Sequence, residues 1–208
     1  MGWMDIPLSE FGIEAAHKTG QKIKKLGIDF GIAYTSVLSR ASETLNIIEE
    51  ELGTKIKTRT SYKLNAKHYG TLEGMSKEDA ITRYGEEALA KWIRGYEDKA
   101  PEISVADERF PGNDPKYKDI LKFELPLSES QKDVYDRVID YFEHEISTFL
   151  KVGENVLVVA HGSTLRVLTK YLENIPDDEM NAIEIPNDSI IIYDMDEDLK
   201  IQDKQAIN

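Results

Sequence analysis

Val156-Leu157-Val158-Val159-Ala160-His161-Gly162-Ser163-Thr164-Leu165-Arg166 decides the fold. Its first five residues are apolar and mostly β-branched, the pattern of a short strand buried on both faces. From Ser163 to Glu173, Leu165, Leu168 and Tyr171 or Leu172 recur at helical spacing. One histidine, one glycine and two hydroxyl residues lie at the junction. A strand followed at once by a helix places that junction in the crevice at the carboxyl end of a parallel sheet, where open α/β folds hold ligands. The helix start presents unpaired N–H groups and the positive end of a dipole, which suits a phosphate.

Working outward, Ser9 precedes a helical pattern to about Leu26, with Ile13, Ala16, Ile23 and Leu26 on one side and Gly27 as its stop. Phe30 to Tyr34 is a short strand. A helix follows from about Leu38 to Leu52, and Lys55 to Arg59 alternates like a strand. Lys77 to Tyr96 is helical in two pieces broken near Gly85. Ala100 to Glu124 is a long proline-bearing stretch with little periodicity, and such loops are usually functional or disordered. Glu129 to Lys151 is a long amphipathic helix, and Ile190 to Tyr193 a final strand. Strands alternating with helices predict an α/β domain over residues 1–208, with a mostly parallel sheet covered on both faces.

Composition excludes several classes. The chain has 208 residues, enough for one α/β domain with a sizeable core. It contains no cysteine, hence no disulfide, thiolate nucleophile or cysteine-based metal site. Its four histidines show no ligand spacing, so no metal is expected. A formal net charge of −13 argues against nucleic-acid binding, which needs a basic surface. It does not argue against a phosphorylated ligand, because a site needs only local positive charge. Arg40, Lys67, Lys77, Arg94 and Arg166 supply that charge if the fold converges them. The apolar runs are too short to span a bilayer and no signal peptide is visible, so no membrane partner and a cytoplasmic location are expected.

Five further stretches narrow the reading: Gly2-Trp3-Met4-Asp5-Ile6-Pro7-Leu8-Ser9-Glu10-Phe11-Gly12, Ala33-Tyr34-Thr35-Ser36-Val37-Leu38-Ser39-Arg40-Ala41, Lys63-Leu64-Asn65-Ala66-Lys67-His68-Tyr69-Gly70, Asp107-Glu108-Arg109-Phe110-Pro111-Gly112 and Glu124-Leu125-Pro126-Leu127-Ser128-Glu129-Ser130. With the histidine at the strand end, these resemble the histidine phosphatase superfamily. Within it they resemble the phosphoglycerate mutases that depend on 2,3-bisphosphoglycerate, in the family's order and over nearly the whole chain. The resemblance implies a phosphoglycerate mutase-like fold with residues 94–126 as a cap over the active site. It implies interconversion of 2- and 3-phosphoglycerate through a phosphohistidine, with 2,3-bisphosphoglycerate as phosphoryl donor. Small phosphorylated three-carbon acids are then the ligands, and a homo-oligomer is the common assembly.

Carried over residue by residue, the resemblance makes His161 the second active-site histidine and Arg40 the second arginine of the phosphate pocket. Tyr69, Lys77, Lys67 and Arg94 match positions that hold substrate, and Gly162 and Ser163 flank the phosphate. Departures are as informative. The family's nucleophile sits in an Arg-His-Gly at the end of a first strand, and no Arg-His-Gly occurs in the 208 residues. The general-acid glutamate is replaced by Ala66, and the arginine after it by Lys67, which lacks the bidentate fork. One of two paired arginines is Ile93 in Trp92-Ile93-Arg94-Gly95. The family's Tyr-Tyr-Leu-Gly segment and mobile tail have no counterpart before Asn208. The resemblance therefore implies a sheet missing one inner strand, and a chain less stable, self-associating or reliant on a replacement strand. It also implies a mutase by lineage without mutase activity as written. Three other readings stand beside it: a relative that binds phosphorylated ligands or a protein partner, a gene remnant, and a broad histidine phosphatase. The long 94–126 segment favours the mutase branch over the last.

Overall fold

Ile32–Thr35 (β1) is the strand on which the layers are built. The computed structural model describes residues 2–207. β1 pairs in parallel with Thr58–Thr60 (β2) on one edge and with Val156–Val159 (β3) on the other. The sheet order is β2-β1-β3. Side chains alternate across the sheet. Ala33 and Val159 join Ile23, Leu45, Ile48 and Ile56, which come from Glu10–Leu26 (α1), Ser39–Leu52 (α2) and the approach to β2. Ile32 and Tyr34 join Val134, Val138, Phe142, Val167 and Leu168 on the opposite face. Those come from Gln131–Tyr141 (α5), the turn after it, and Gly162–Leu172 (α7). The result is three layers, helix on sheet on helix, as the alternation of elements predicts.

The local signals explain the boundaries. Ser9 Oγ accepts the Gly12 amide at 3.1 Å and caps α1. Gly27 ends the helix in the left-handed region. Ser76 caps Lys77–Tyr84 (α3), which gives way at Gly85 to Glu86–Arg94 (α4). Ser130 and Asp133 form a reciprocal capping box at the start of α5. The long amphipathic pattern is not one α-helix: it passes through a π-helical turn, Phe142–Ile146, before ending in Ser147–Leu150 (α6). Residues 100–125 hold short 3-10 turns and their own buried cluster of Ile103, Phe110, Tyr117 and Leu125 around Trp3.

Beyond β3 the sheet stops. Among the described residues Ile190–Met195 (β4) pairs only with Ile201–Ile207 (β5), in an antiparallel hairpin separate from the parallel sheet. β5 reads IQDKQAI, too polar to announce itself as a strand. Between β3 and β4 runs a cleft of about 1290 Å³, walled by both strands, by α1 and by the α6 and α7 side. Val156, Leu157 and Val158 are only half-buried as a consequence.

Candidate functional site

The polar end of this cleft lies where β3 meets α7. His161 is the N-cap residue of α7, in extended conformation, and its carbonyl accepts the Leu165 amide at 2.8 Å. The amides of the first turn are left free of intrahelical partners and aimed along the helix axis. His161 Nε2 lies 2.7 Å from Ser36 Oγ, which also accepts the Leu38 amide at 3.2 Å. Ser36 follows β1 as His161 follows β3, so the parallel pairing of the two strands brings the two side chains together. Crowding of the ring by protein, then the nearby charges of Arg40 and Arg137, push the His161 pKa down to about 3. The ring is neutral at pH 7, with a pairable nitrogen at each side.

Arg40, in the first turn of α2, turns back to the start of the chain. Its guanidinium donates to the carbonyls of Gly2 at 2.7 Å and Met4 at 3.1 Å. Burial lowers its pKa, but an arginine stays charged. Glu73, which faces Arg40, accepts the amides of Tyr69 at 2.8 Å, Trp3 at 3.2 Å and Met4 at 3.3 Å. Gly2 sits at φ +48° against this carboxylate, where a Cβ would collide with it. The turn from Gly2 to Met4 is therefore pinned from both sides.

Loop 61–70 forms the facing wall. Arg137 is its anchor: a buried ion pair to Glu129, at 2.6 Å, accompanies donations to the carbonyls of Lys63, Asn65 and Ala66. Thr164 Oγ1 donates to the Asn65 carbonyl at 2.8 Å, and Trp3 Nε1 to that of Ala66 at 2.6 Å. Nothing in the sequence singled out Arg137, Glu73 or Ser36. For Ser36 the signal existed, since it is the hydroxyl at the carboxyl end of a strand.

The structure sorts the residues singled out by sequence. His161, Arg40, Tyr69, Lys77, Gly162, Ser163 and Arg166 line one cleft, with Ala66 among them. Lys77 is exposed at the start of α3, and Arg166 donates through Nε to the Ile183 carbonyl at 3.0 Å. Ser163 Oγ accepts the Lys67 amide at 3.0 Å, tying α7 to the loop. Lys67 itself points away from the cleft: it is 1% exposed, with Nζ donating to the Trp92 carbonyl at 2.7 Å. Burial lowers its pKa to about 8 despite Glu129 and Asp133 nearby. Arg94 is exposed on α4 and does not line the cleft, whereas Ile93 does. His161 is the only histidine lining the cleft among the described residues. His68, within loop 61–70, is fully buried and does not line the cleft, its Nδ1 accepting the Gly70 amide and its ring edge-on to Trp3. Burial pushes its pKa down to about 4.

A three-layer α/β domain with a neutral histidine, an arginine and a helix N-terminus at the carboxyl end of its parallel sheet has the crevice in which open α/β folds hold ligands. Comparison with known proteins makes the class specific. The model of the histidine phosphatase superfamily (branch 1) matches residues 1–112 and 102–205, and the chain belongs to that superfamily. Three solved structures share the fold. YhfR of Bacillus stearothermophilus is 24% identical, with a TM-score of 0.72 over 94% of this chain and 82% of that one. A mycobacterial glucosyl-3-phosphoglycerate phosphatase is 18% identical, with a TM-score of 0.70 over 100% and 89%. The α-ribazole phosphatase of Shigella flexneri is 18% identical, with a TM-score of 0.68 over 97% and 85%. Among the described residues no helix is long and apolar enough to cross a membrane.

Proposed function

We propose that residues 1–208 form a phosphomonoester-binding domain of phosphoglycerate mutase lineage that does not itself turn over phosphoglycerate. The observation that carries this reading is the convergence of His161, Arg40, Arg166, Lys77 and the α7 N-terminus on one cleft in a chain of net charge −13. The ligand class is a small phosphorylated acid of three carbons. Its phosphate meets Arg40, the α7 amides and His161, and its carboxylate has Lys77 or Arg166 within the same cleft.

Phosphoryl transfer needs more than binding. It requires a nucleophile in line with the leaving oxygen and a proton donor for that oxygen. In the family pattern His161 steadies the transferring group and a different histidine receives it. Among the described residues no second histidine lines the cleft, and Ala66 presents a methyl group where the family has its acid. The residues present suit 2,3-bisphosphoglycerate as an anion to be bound. They do not suit it as a phosphoryl donor, so no transfer step is assigned to it. Hydrolysis, the activity named for two of the fold relatives, would meet the same lack of an acceptor.

Calorimetric titration with 3-phosphoglycerate and with inorganic phosphate tests the binding half. Arg40→Gln should weaken both by about tenfold or more, as expected for losing charge-assisted hydrogen bonds. A coupled assay from 3- to 2-phosphoglycerate, with 2,3-bisphosphoglycerate present, and a p-nitrophenyl phosphate assay test the other half. Neither should exceed a His161→Ala control. Turnover that vanishes in that control would overturn the reading.

A further inference from the structure

The hydroxyl of Ser36 is the side-chain partner of His161, and its surroundings decide where its proton goes. Ser36 is 0% exposed, in the turn that leaves β1. Its neighbours fix that turn. Thr35 Oγ1 donates to the Val159 carbonyl at 2.8 Å, and the Val37 amide donates to Oδ1 of the buried Asn65 at 3.3 Å. A serine hydroxyl has one proton to give and two lone pairs. The Leu38 amide takes one lone pair of Ser36 Oγ, at 3.2 Å. The proton has a single acceptor within reach among the described residues, His161 Nε2 at 2.7 Å. Were Nε2 itself protonated, the buried hydroxyl would have no acceptor, and buried polar groups are almost always paired. Ser36 therefore donates and Nε2 accepts. A neutral imidazole with an accepting Nε2 carries its proton on Nδ1. Crowding by protein and the charges of Arg40 and Arg137 keep a second proton off the ring. Nδ1 makes no hydrogen bond among the described residues and is not sealed by protein.

We propose that Ser36 is a positioning residue: it holds His161 in the tautomer protonated at Nδ1, so that the ring meets a bound phosphate as a hydrogen-bond donor. The tautomer is a property of the free protein; its use rests on the phosphate-binding reading above. His161 lines the cleft together with Arg40, and an N–H there suits phosphate oxygens, which accept. A nitrogen lone pair in the same place would repel them. The same arrangement bars His161 from taking up a phosphoryl group. Attack on phosphorus needs a free nitrogen lone pair aimed at the ligand. Here the ring proton occupies Nδ1, and the Ser36 hydroxyl holds the lone pair of Nε2. Freeing Nδ1 would move the ring proton to Nε2 and turn the Ser36 hydroxyl away from its acceptor. One imidazole can act as donor or as nucleophile, and the serine assigns His161 to the first.

Nitrogen-15 spectra of the full 208-residue chain test this. Two-bond proton–nitrogen correlations at neutral pH separate the two tautomers of each histidine, and His161→Gln identifies the signals of His161. The expected result in the free protein is a proton on Nδ1 of His161. A proton on Nε2 would overturn the proposal outright, and this measurement on the unmutated chain needs no variant to fold. In Ser36→Ala the ratio of the Nε2–H to the Nδ1–H form should rise about fivefold or more, as expected for losing one hydrogen bond. Ser36→Thr, which keeps the hydroxyl, should retain the original pattern. An unchanged tautomer in Ser36→Ala would overturn the role of the serine. Calorimetry with inorganic phosphate reads the use of the donor. Ser36→Ala should bind about fivefold more weakly or worse, and Ser36→Thr should bind as the original chain does. Equal phosphate affinity despite an altered tautomer would overturn the donor role. An unmutated chain that carries the proton on Nδ1 yet binds no phosphate would confirm the tautomer and overturn the phosphate-binding reading, and with it the donor role.

Discussion

β1 and β3 are neighbours in one sheet, yet they live in different solvents. Ile32, Ala33 and Tyr34 of β1 are 0% exposed, although the strand reads IAYT. β3 reads VLVV and is the more apolar of the two, but Val156, Leu157 and Val158 are only half-buried. Both strands have helices on their faces. What differs is the edge: β1 is flanked on both sides, while β3 borders the cleft on one. Burial in a layered sheet is set by the neighbours of a strand, and apolarity only states what the strand requires.

The comparison breaks if truncations on the two strands cost the same. Ile32→Ala should destabilise by about 2–5 kcal/mol, the range for a large buried aliphatic in a closed core. Val158→Ala should cost under about 1 kcal/mol, because its side chain already meets the cleft. Urea midpoints of the two variants decide it.

The anchor of the site belongs to the closed side. Arg137→Ala leaves the Glu129 carboxylate buried without its ion-pair partner and removes the guanidinium's donations to three loop carbonyls. The expected loss is about 3–5 kcal/mol, the range for breaking a buried pair from one side. Phosphate binding should fall with it, since loop 61–70 is the wall opposite α7. Retained stability with full phosphate binding would detach the loop from the site.

Acid sharpens the contrast through two imidazoles crowded by protein. His161 and His68 have folded pKa values pushed down to about 3 and about 4, below the ordinary 6.5. Between 6.5 and those values the unfolded chain binds protons that the folded chain refuses, so stability falls as pH is lowered through that window. Replacing both by glutamine should flatten the slope of stability against pH between about 6.5 and 4. An unchanged slope would show that other groups govern acid unfolding. The smallest effect belongs to Phe123, 83% exposed beside the closed cluster of residues 100–125. Phe123→Ser should shift stability by no more than about 0.5 kcal/mol.

These contrasts also mark how far the sequence could be read. The helix caps, the break at Gly85, the parallel core strands and the junction at His161 follow from local chemistry: a hydroxyl before a periodic run, a glycine after it, a β-branched run before a helix. β5 was illegible because its residues are polar and its partner supplies the reason for the strand. The π-helical turn at 142–146 leaves the apolar spacing of the long helix nearly intact, so periodicity alone does not register it. The site divided in the same way. His161, Arg40, Tyr69 and Ser163 sit at strand or helix ends, or in the loop that faces them. Lys67 and Arg94 were matched to the site in the same way, but one points into the core and the other into solvent. Which way a lysine turns from a loop is fixed by partners distant in the chain, here the carbonyl of Trp92.

Amide exchange along β3 in the free protein tests the account most directly. An open outer edge predicts alternation: Leu157 and Val159, bonded to β1, exchange slowly, while Val156 and Val158 exchange at least tenfold faster. Uniform slow exchange across all four residues, in a protein shown to be monomeric, would mean that the edge is already paired and that the cleft does not exist in solution.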